Sequence, residues 1–330
     1  MMPEQKVVDL EALSDLCTPW CVHVVATLRI AEHVAEGTDE INALAAAAKC
    51  DSYVLHRVID HLVSKGVFEQ PTPGRFSLNE AARGLLDPSR RLGLDIEGIG
   101  GRMAYAWGTL LTYVRTGGPA YHEVFGRPFW EDLDAHPPIG ASFDALIGPA
   151  GHGLPDPEFQ ISGGWDPVRT VVDVGGGTGA MLGEILRSRP EVHGTLVDLP
   201  RTVARSAETL QSAGVADRVT SVGQSFFDPL PAGADVYLLK KVLNDWPDAE
   251  TVAILRRCAE AAGAGGRVLV DGGVAPDGGS PPLNPEMVLV GGVTSSLAEF
   301  RELAARAGLE VVAAGPRPSG RFLVECRPAG

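Results

Sequence analysis

The pattern of apolar and polar positions changes character near the middle of the chain. From Val7 to about Ala48 apolar residues recur at short helical intervals, with alanine dominating Ala43 to Ala48, and the spacing predicts helices. Asp51 to Lys65 continues as an amphipathic helix that stops at Gly66. Val67 to Leu78 reads as two short extended pieces around a Pro/Gly turn. Helices followed by a hairpin make a winged-helix-like pattern. Arg91 to Leu146 is helical and rich in aromatic side chains, with its course broken at Gly117, Gly118 and Pro119. After Gly163 the signals alternate. Strands are predicted at Thr170 to Val174, Gly194 to Asp198, Val219 to Val222, Val236 to Leu239 and Gly266 to Asp271. Helices are predicted at Met181 to Ser188, Thr202 to Ala213, Ala249 to Ala262 and Leu297 to Ala307, with terminal extended pieces after the last. This alternation predicts a three-layer α/β domain with functional groups at the carboxyl ends of its strands.

Composition narrows the possibilities. A chain of 330 residues with 45% hydrophobic content can bury a large core and form two domains. Forty-two acidic against 28 basic residues, a net charge of -14, provide no basic stripe for a nucleic acid. The helix before the hairpin carries Asp51, Arg57, Asp60 and Lys65 without a positive face, which favours packing or dimerisation over DNA reading. Cys17, Cys21, Cys50, Cys258 and Cys326 are odd in number and scattered, so buried thiols are expected rather than disulfides or a zinc site. The N-terminus lacks the apolar segment of a signal peptide and no run of 18 apolar residues follows, so a cytoplasmic protein without a membrane partner is expected.

Val171 to Leu186 reads as a buried strand, a glycine turn and a helix opening. Gly175, Gly177 and Gly179 allow backbone N–H groups to approach a ligand closely, and Asp173 places a carboxylate beside the turn. Asp198 closes the next strand about 20 residues after the turn, where a carboxylate can accept both hydroxyls of a ribose. That arrangement alone suits NAD, FAD or S-adenosylmethionine.

The wider constellation resembles the class I S-adenosylmethionine-dependent O-methyltransferases of small aromatic molecules, in particular the bacterial branch acting on polyketide, anthracycline and naphthoate scaffolds. The resemblance is carried by Asp173-Val174-Gly175-Gly176-Gly177-Thr178-Gly179, Val197-Asp198-Leu199-Pro200, Ser225-Phe226-Phe227-Asp228-Pro229-Leu230-Pro231 and Val242-Leu243-Asn244-Asp245-Trp246-Pro247-Asp248. Ile254 to Cys258, Gly291-Gly292 and Leu297 to Phe300 extend it over nearly the whole chain. It implies an α/β fold: a Rossmann-like methyltransferase domain with a mainly helical N-terminal dimerisation and winged-helix-like domain. The implied divisions are residues 1–90 for dimerisation and the winged-helix-like module, 91–162 for a helical linker and substrate-pocket region, and 163–330 for binding S-adenosyl-L-methionine. A homodimer is implied as well.

Carried over residue by residue, Asp173 and the turn from Gly175 through Gly177 to Gly179 surround the methionine and ribose portions of the cofactor. Asp198 holds the ribose, and Ser225 with Phe226 flanks the adenine. Relatives often carry an acid where Ser225 stands; its hydroxyl replaces part of that hydrogen bonding without a fixed charge. Lys240 and Lys241 end the fourth strand, as carboxylate-binding groups or as a solvated strand end. Trp107, Trp130 and Phe143, with Tyr105, Tyr113, Tyr121, Phe125 and Phe129, either line an aromatic substrate pocket or pack a domain junction. Trp246, Asn284 and Met287 are further pocket contacts, beside a loop from Asp277 to Pro282 expected to be mobile.

Asn244 is the decisive departure from the family pattern, because relatives commonly place a general-base histidine there. An amide cannot take up a proton usefully near neutral pH, although it can orient a hydroxyl or carbonyl. Methyl transfer at oxygen would then rest on in-line placement of an already ionised acceptor. His23, His122, His136 and His152 are the histidines considered as replacements from elsewhere in the chain. A second departure is Val293-Thr294-Ser295-Ser296 after Gly291-Gly292, where relatives often carry a basic-acidic-basic stretch. The expected activity is methyl transfer to a small aromatic or polyketide-derived intermediate. The alternative is the same cofactor scaffold turned to non-methylating hydroxylation, cyclisation or decarboxylation.

Overall fold

The structure is a computed structural model that describes residues 9–147, 156–279, 283–317 and 320–329. The chain divides into two compact units, Met1–Tyr105 with His136–Leu146, and Ala106–Ala135 with Ile147–Gly330. The segment 91–162 is thus shared between the units.

In the first unit, helices Cys17–Thr27, Ile30–Ala35, Ile41–Ala48 and Ser52–Ser64 are followed by a hairpin of β1 (Glu69–Thr72) and β2 (Arg75–Ser77). Glu40 and Asp51 cap two of these helices by accepting hydrogen bonds from first-turn N–H groups. Leu55, Ile59 and Leu62, on one face of Ser52–Ser64, join Val25, Ile30, Leu44, Phe68 and Phe76 in the core. The winged-helix-like pattern is therefore present, with its helix turned inward by this stripe.

The second unit is built on a seven-stranded sheet. Its strands are β3 (Thr170–Val174), β4 (His193–Asp198), β5 (Val219–Gly223), β6 (Val236–Lys240), β7 (Arg267–Asp271), β10 (Leu309–Pro316) and β11 (Phe322–Pro328). A two-stranded ladder of β8 (Val274–Ala275) and β9 (Ser295–Ser296) lies apart. The sheet order is β10-β11-β7-β6-β3-β4-β5, parallel from β7 to β5, with β11 antiparallel to β7 and β10 antiparallel to β11. β6 and β7 are buried almost throughout, as apolar strands covered on both faces must be. The chain builds outward from β3 through β4 to β5 and then returns to place β6 on the other side of β3. The carboxyl ends of β3 and β6 therefore flank the crevice where open α/β sheets bind ligands.

Two expectations are corrected. The helix read over Thr202 to Ala213 is two helices, Pro200–Val203 and Ser206–Ser212. A tight turn separates them, with Arg205 N–H donating to the Thr202 carbonyl and the Ser206 hydroxyl to the Val203 carbonyl. The five cysteines are not uniformly buried: Cys21, Cys258 and Cys326 are, whereas Cys17 is exposed and Cys50 half-buried. No helix among the described residues is long and apolar enough to cross a membrane.

Candidate functional site

The glycine turn leaves β3 at the switch point. Gly175 and Gly177 adopt φ of 69° and 62°, and a Cβ at Gly177 would meet nothing within 4 Å, so the turn presents open backbone on that side. Asp198 at the end of β4 fastens the turn: Gly177 N–H donates to its Oδ2 at 2.9 Å and Leu199 N–H to its Oδ1 at 2.7 Å. Burial raises the Asp198 carboxyl above its ordinary range, and these donors work against that rise. Each oxygen retains acceptor capacity for a ribose hydroxyl.

Asp173 is fully buried, and neither carboxylate oxygen has a hydrogen-bond partner among the described residues. Burial pushes its carboxyl up to about 7; Lys240 pulls it down, and Asp198 pushes it further up. Lys240, at the carboxyl end of β6, is lowered by its own burial and by Arg321, and raised by Asp173 and Asp271. A buried carboxylate with no hydrogen bond of good geometry, favoured in its ionised form by the Lys240 charge and the Leu182 backbone but raised by burial, suits a cationic nucleoside beside the open glycine turn.

The turn after β5 brings Phe226 to the glycine turn: a Cβ at Gly175 would lie 3.4 Å from its ring and 2.8 Å from Val242. Ser225 Oγ accepts from Phe227 N–H at 3.2 Å, which shapes that turn. Trp246 meets Phe226 and Phe227 edge-on, at ring-centroid separations of 5.8 and 5.0 Å, and stacks with Trp130 at 6.3 Å. Trp130, Trp246 and Phe226 thus form one aromatic wall, with Phe227 against Trp246.

Asn244 sits in the one-turn helix Leu243–Asp245. Its Nδ2 donates to Asp245 Oδ1 at 2.8 Å, while its own Oδ1 is buried with no hydrogen-bond partner among the described residues. Burial pushes Asp245 up to about 8, helped by Glu286 and opposed by Lys241 and by the Asn244 hydrogen bond. Gly292 holds this turn from behind, since a Cβ there would fall 1.9 Å from the Asn244 carbonyl oxygen. Helix Pro285–Val290 packs against both the Asn244 turn and the Trp107–Thr109 turn. This places Met287 on an element neighbouring Asn244 and Trp107 on a turn that packs on the same helix, while the Asn284 side chain caps the helix by accepting from Met287 N–H at 3.3 Å.

Phe143 belongs to the first unit, in helix Pro137–Ile147. His23 Nδ1 contacts the Leu94 carbonyl at 2.7 Å, and His122 and His136 are exposed. His152 and residues 280–282 of the 277–282 loop lie outside the described residues. Two features were missed in the sequence. Asp245 was quoted within its motif but given no role, although its position next to Asn244 was the available signal. The buried pair of Tyr121 and Asp132, where the phenol donates to Oδ2 at 2.7 Å, had no sequence signal because eleven residues separate its members.

Comparison with known proteins places this geometry. The O-methyltransferase domain family matches residues 107–310, and the O-methyltransferase dimerisation domain matches residues 10–88. The chain is 42% identical over 319 residues to the 2,7-dihydroxy-5-methyl-1-naphthoate 7-O-methyltransferase of Streptomyces carzinostaticus, covering 94% of each chain. It is 38% identical to the aclacinomycin 10-hydroxylase of Streptomyces purpurascens, covering 94% of this chain and 86% of that one. The crystal structure of an O-methyltransferase from neocarzinostatin biosynthesis, in complex with S-adenosylmethionine and 2-hydroxy-5-methyl naphthoic acid, superposes with a TM-score of 0.87. That structure is 40% identical and covers 98% of this chain and 100% of its own. Matched by the methyltransferase domain over more than half its length and preceded by the dimerisation domain, the chain belongs to the S-adenosylmethionine-dependent O-methyltransferases of the bacterial natural-product branch.

Proposed function

We propose that the enzyme methylates an oxygen of a small aromatic or polyketide-derived intermediate and that Asn244 positions this oxygen without serving as its base. The observation that carries this reading is the buried Asn244 Oδ1, which lacks a partner while Nδ2 is engaged by Asp245. S-adenosylmethionine supplies an electrophilic methyl group when bound. Asp173, Gly175, Gly177, Gly179, Asp198, Ser225, Phe226 and Lys240 are the residues proposed to hold it. Asp173 answers its positive charge, Asp198 its ribose, and Phe226 with Ser225 its adenine. Lys240 balances Asp173 and is available to a carboxylate.

Trp107, Trp130, Trp246, Asn284 and Met287 are proposed to border the aromatic substrate, excluding water from the reacting oxygen. Asn244 Oδ1 accepts a hydrogen bond from the acceptor hydroxyl as it binds, and the hydroxyl gives up its proton to solvent before its oxygen is methylated; where the oxygen is already ionised, Asn244 orients a neighbouring group. Asp245 is a positioning residue, keeping the amide the right way round. The rate effect then rests on placement, which is worth several kcal/mol when reacting atoms are held in line. We propose a homodimer acting in the cytoplasm, with no nucleic-acid or membrane partner.

Incubation of hydroxy-naphthoate and anthracycline phenols with methyl-labelled S-adenosylmethionine, followed by mass spectrometry of both products, tests this. Labelled methyl ether with S-adenosylhomocysteine supports the reading. Hydroxylated or decarboxylated product with intact cofactor would replace it with the chemistry named for the hydroxylase relative.

A further inference from the structure

Far from this chemistry in sequence, the first unit gathers three metal-binding side chains. Cys17 and Cys21 lie one helical turn apart on one face of Cys17–Thr27, and their sulfurs are 3.9 Å apart. His61, on Ser52–Ser64, comes across to them, so that one ligand atom from each of the three lies within 4.8 Å of the others. The two helices pack directly. We propose that Cys17, Cys21 and His61 form a binding site for a thiophilic divalent cation, zinc(II) foremost, which staples the first of these helices to the second.

The geometry suits that ion. Zinc–thiolate bonds of about 2.3 Å meeting at a tetrahedral angle set two sulfurs about 3.8 Å apart, close to the separation present without any rearrangement. An imidazole nitrogen provides the third ligand, water takes the fourth position, and Cys17 is exposed in the single chain. A disulfide fits less well, because its sulfurs must close to about 2.05 Å from 3.9 Å within one rigid helix. His61 Nε2 now meets Thr18 Oγ1 at 2.8 Å, and Thr18 Oγ1 also donates to Asp15 Oδ2. Coordination through Nε2 would exchange the Thr18 contact for a metal bond that links the same two helices. Binding converts both thiols to thiolates and releases their protons to solvent. The sequence spacing hid this site, because the third ligand is forty residues beyond Cys21.

The test uses the full-length reduced protein, stripped with a chelator and titrated with zinc(II) or with cobalt(II) as a coloured substitute. One equivalent per chain is expected, with thiolate-to-cobalt absorption in the near ultraviolet and a rise in melting temperature. Cys17→Ser and His61→Ala should each weaken binding about tenfold or more. Thr18→Val, which removes a competing contact and keeps all three donors, should bind at least as tightly as the parent. Absence of thiolate-to-cobalt absorption in the folded parent would overturn the site. So would full retention of binding by Cys17→Ser, or its loss in a folded Thr18→Val protein.

Discussion

Asn244 donates its amide hydrogen to Asp245 Oδ1 across 2.8 Å, and this one bond decides which end of the amide faces the reacting oxygen. The Asp245 oxygen that accepts this bond takes the NH2 end of the amide and leaves Oδ1 free to accept, and with its carboxyl raised to about 8 the group becomes an accept-only carboxylate above that pH. Removing Asp245 releases the amide to turn. Asp245→Leu should lower kcat/KM about threefold to tenfold near neutral pH, the equivalent of about 0.5–1.5 kcal/mol for a hydrogen bond to a neutral group. Asp245→Asn, which can still accept through its own carbonyl, should fall between Asp245→Leu and the parent. Steady-state kinetics with unchanged S-adenosylmethionine affinity would show the effect to be positional, and an unaffected Asp245→Leu enzyme would refute it.

Asp173 gives the cofactor site a pH dependence of definite sign. Its carboxyl is held up to about 7 by burial, and a bound cation favours its ionised form, so binding expels a proton from the protonated site. S-adenosylmethionine affinity should be level above about pH 7 and weaken toward tenfold per unit below it. The same shift acts on the cofactor-free fold. A carboxyl whose folded value exceeds its unfolded value contributes stability in full below about pH 4 and loses it as pH rises to about 7. Asp173→Asn should bind S-adenosylmethionine weakly with a flat pH profile, and its melting temperature should compare best with the parent at pH 8. Calorimetric titrations and thermal scans at pH 5 and pH 8 decide both halves.

Much of this is legible in the sequence, for physical reasons. Strands β3, β4, β6 and β7 are short apolar runs bounded by turn residues, and their ends were placed within a residue or two. The glycine turn and Asp198 are local in sequence and bonded to each other, so their spacing carried the information. What escaped depends on approach between distant segments. Gly292 matters because a carbonyl 48 positions earlier presses on it, and Asp245 acquires its raised carboxyl from burial and from Glu286. The break between Val203 and Ser206 has the Ser206 hydroxyl bonding backwards to the Val203 carbonyl, which a periodic pattern does not register.

Gly292→Ala offers a direct probe of that contact. With a methyl group required to sit 1.9 Å from the Asn244 carbonyl oxygen, the Asn244 turn must move. Overpacking of this kind costs about 1–3 kcal/mol, and a displacement near 1 Å at a reacting centre can cost about a hundredfold in rate. Gly265→Ala, where the added methyl would meet nothing within 4 Å, is the control and should leave turnover and melting temperature close to the parent. Equal behaviour of the two variants would remove Gly292 from the site.

The N-terminal leucines should carry part of the dimer. Leu10, Leu13 and Leu16 are 76%, 74% and 74% exposed, in the segment matched by the dimerisation domain. Val7, which opens the helical run read from the sequence, lies outside the described residues. Three leucines spaced three residues apart and left in water mark an interaction surface more than a fold. Leu13→Asp with Leu16→Asp should yield a folded monomer by light scattering across a concentration series. A dimer persisting at low concentration would assign the contact to other residues.

Trp246 links the two halves of the proposed site, and its replacement should separate packing from recognition. Its ring meets Phe226 and Phe227 on their edges and stacks with Trp130, so truncation removes support from both the adenine side and the substrate side of one wall. Trp246→Ala should lower stability by about 2–4 kcal/mol, less than a fully buried tryptophan because this one is half-buried. Trp246→Phe retains an aromatic edge toward Phe226 but lacks the width of the indole facing Trp130. It should therefore regain most of the stability and the cofactor affinity while leaving KM for the aromatic substrate raised several-fold. Parallel thermal scans, cofactor titrations and substrate kinetics separate these effects. Recovery of KM along with stability in Trp246→Phe would show the ring to be packing alone.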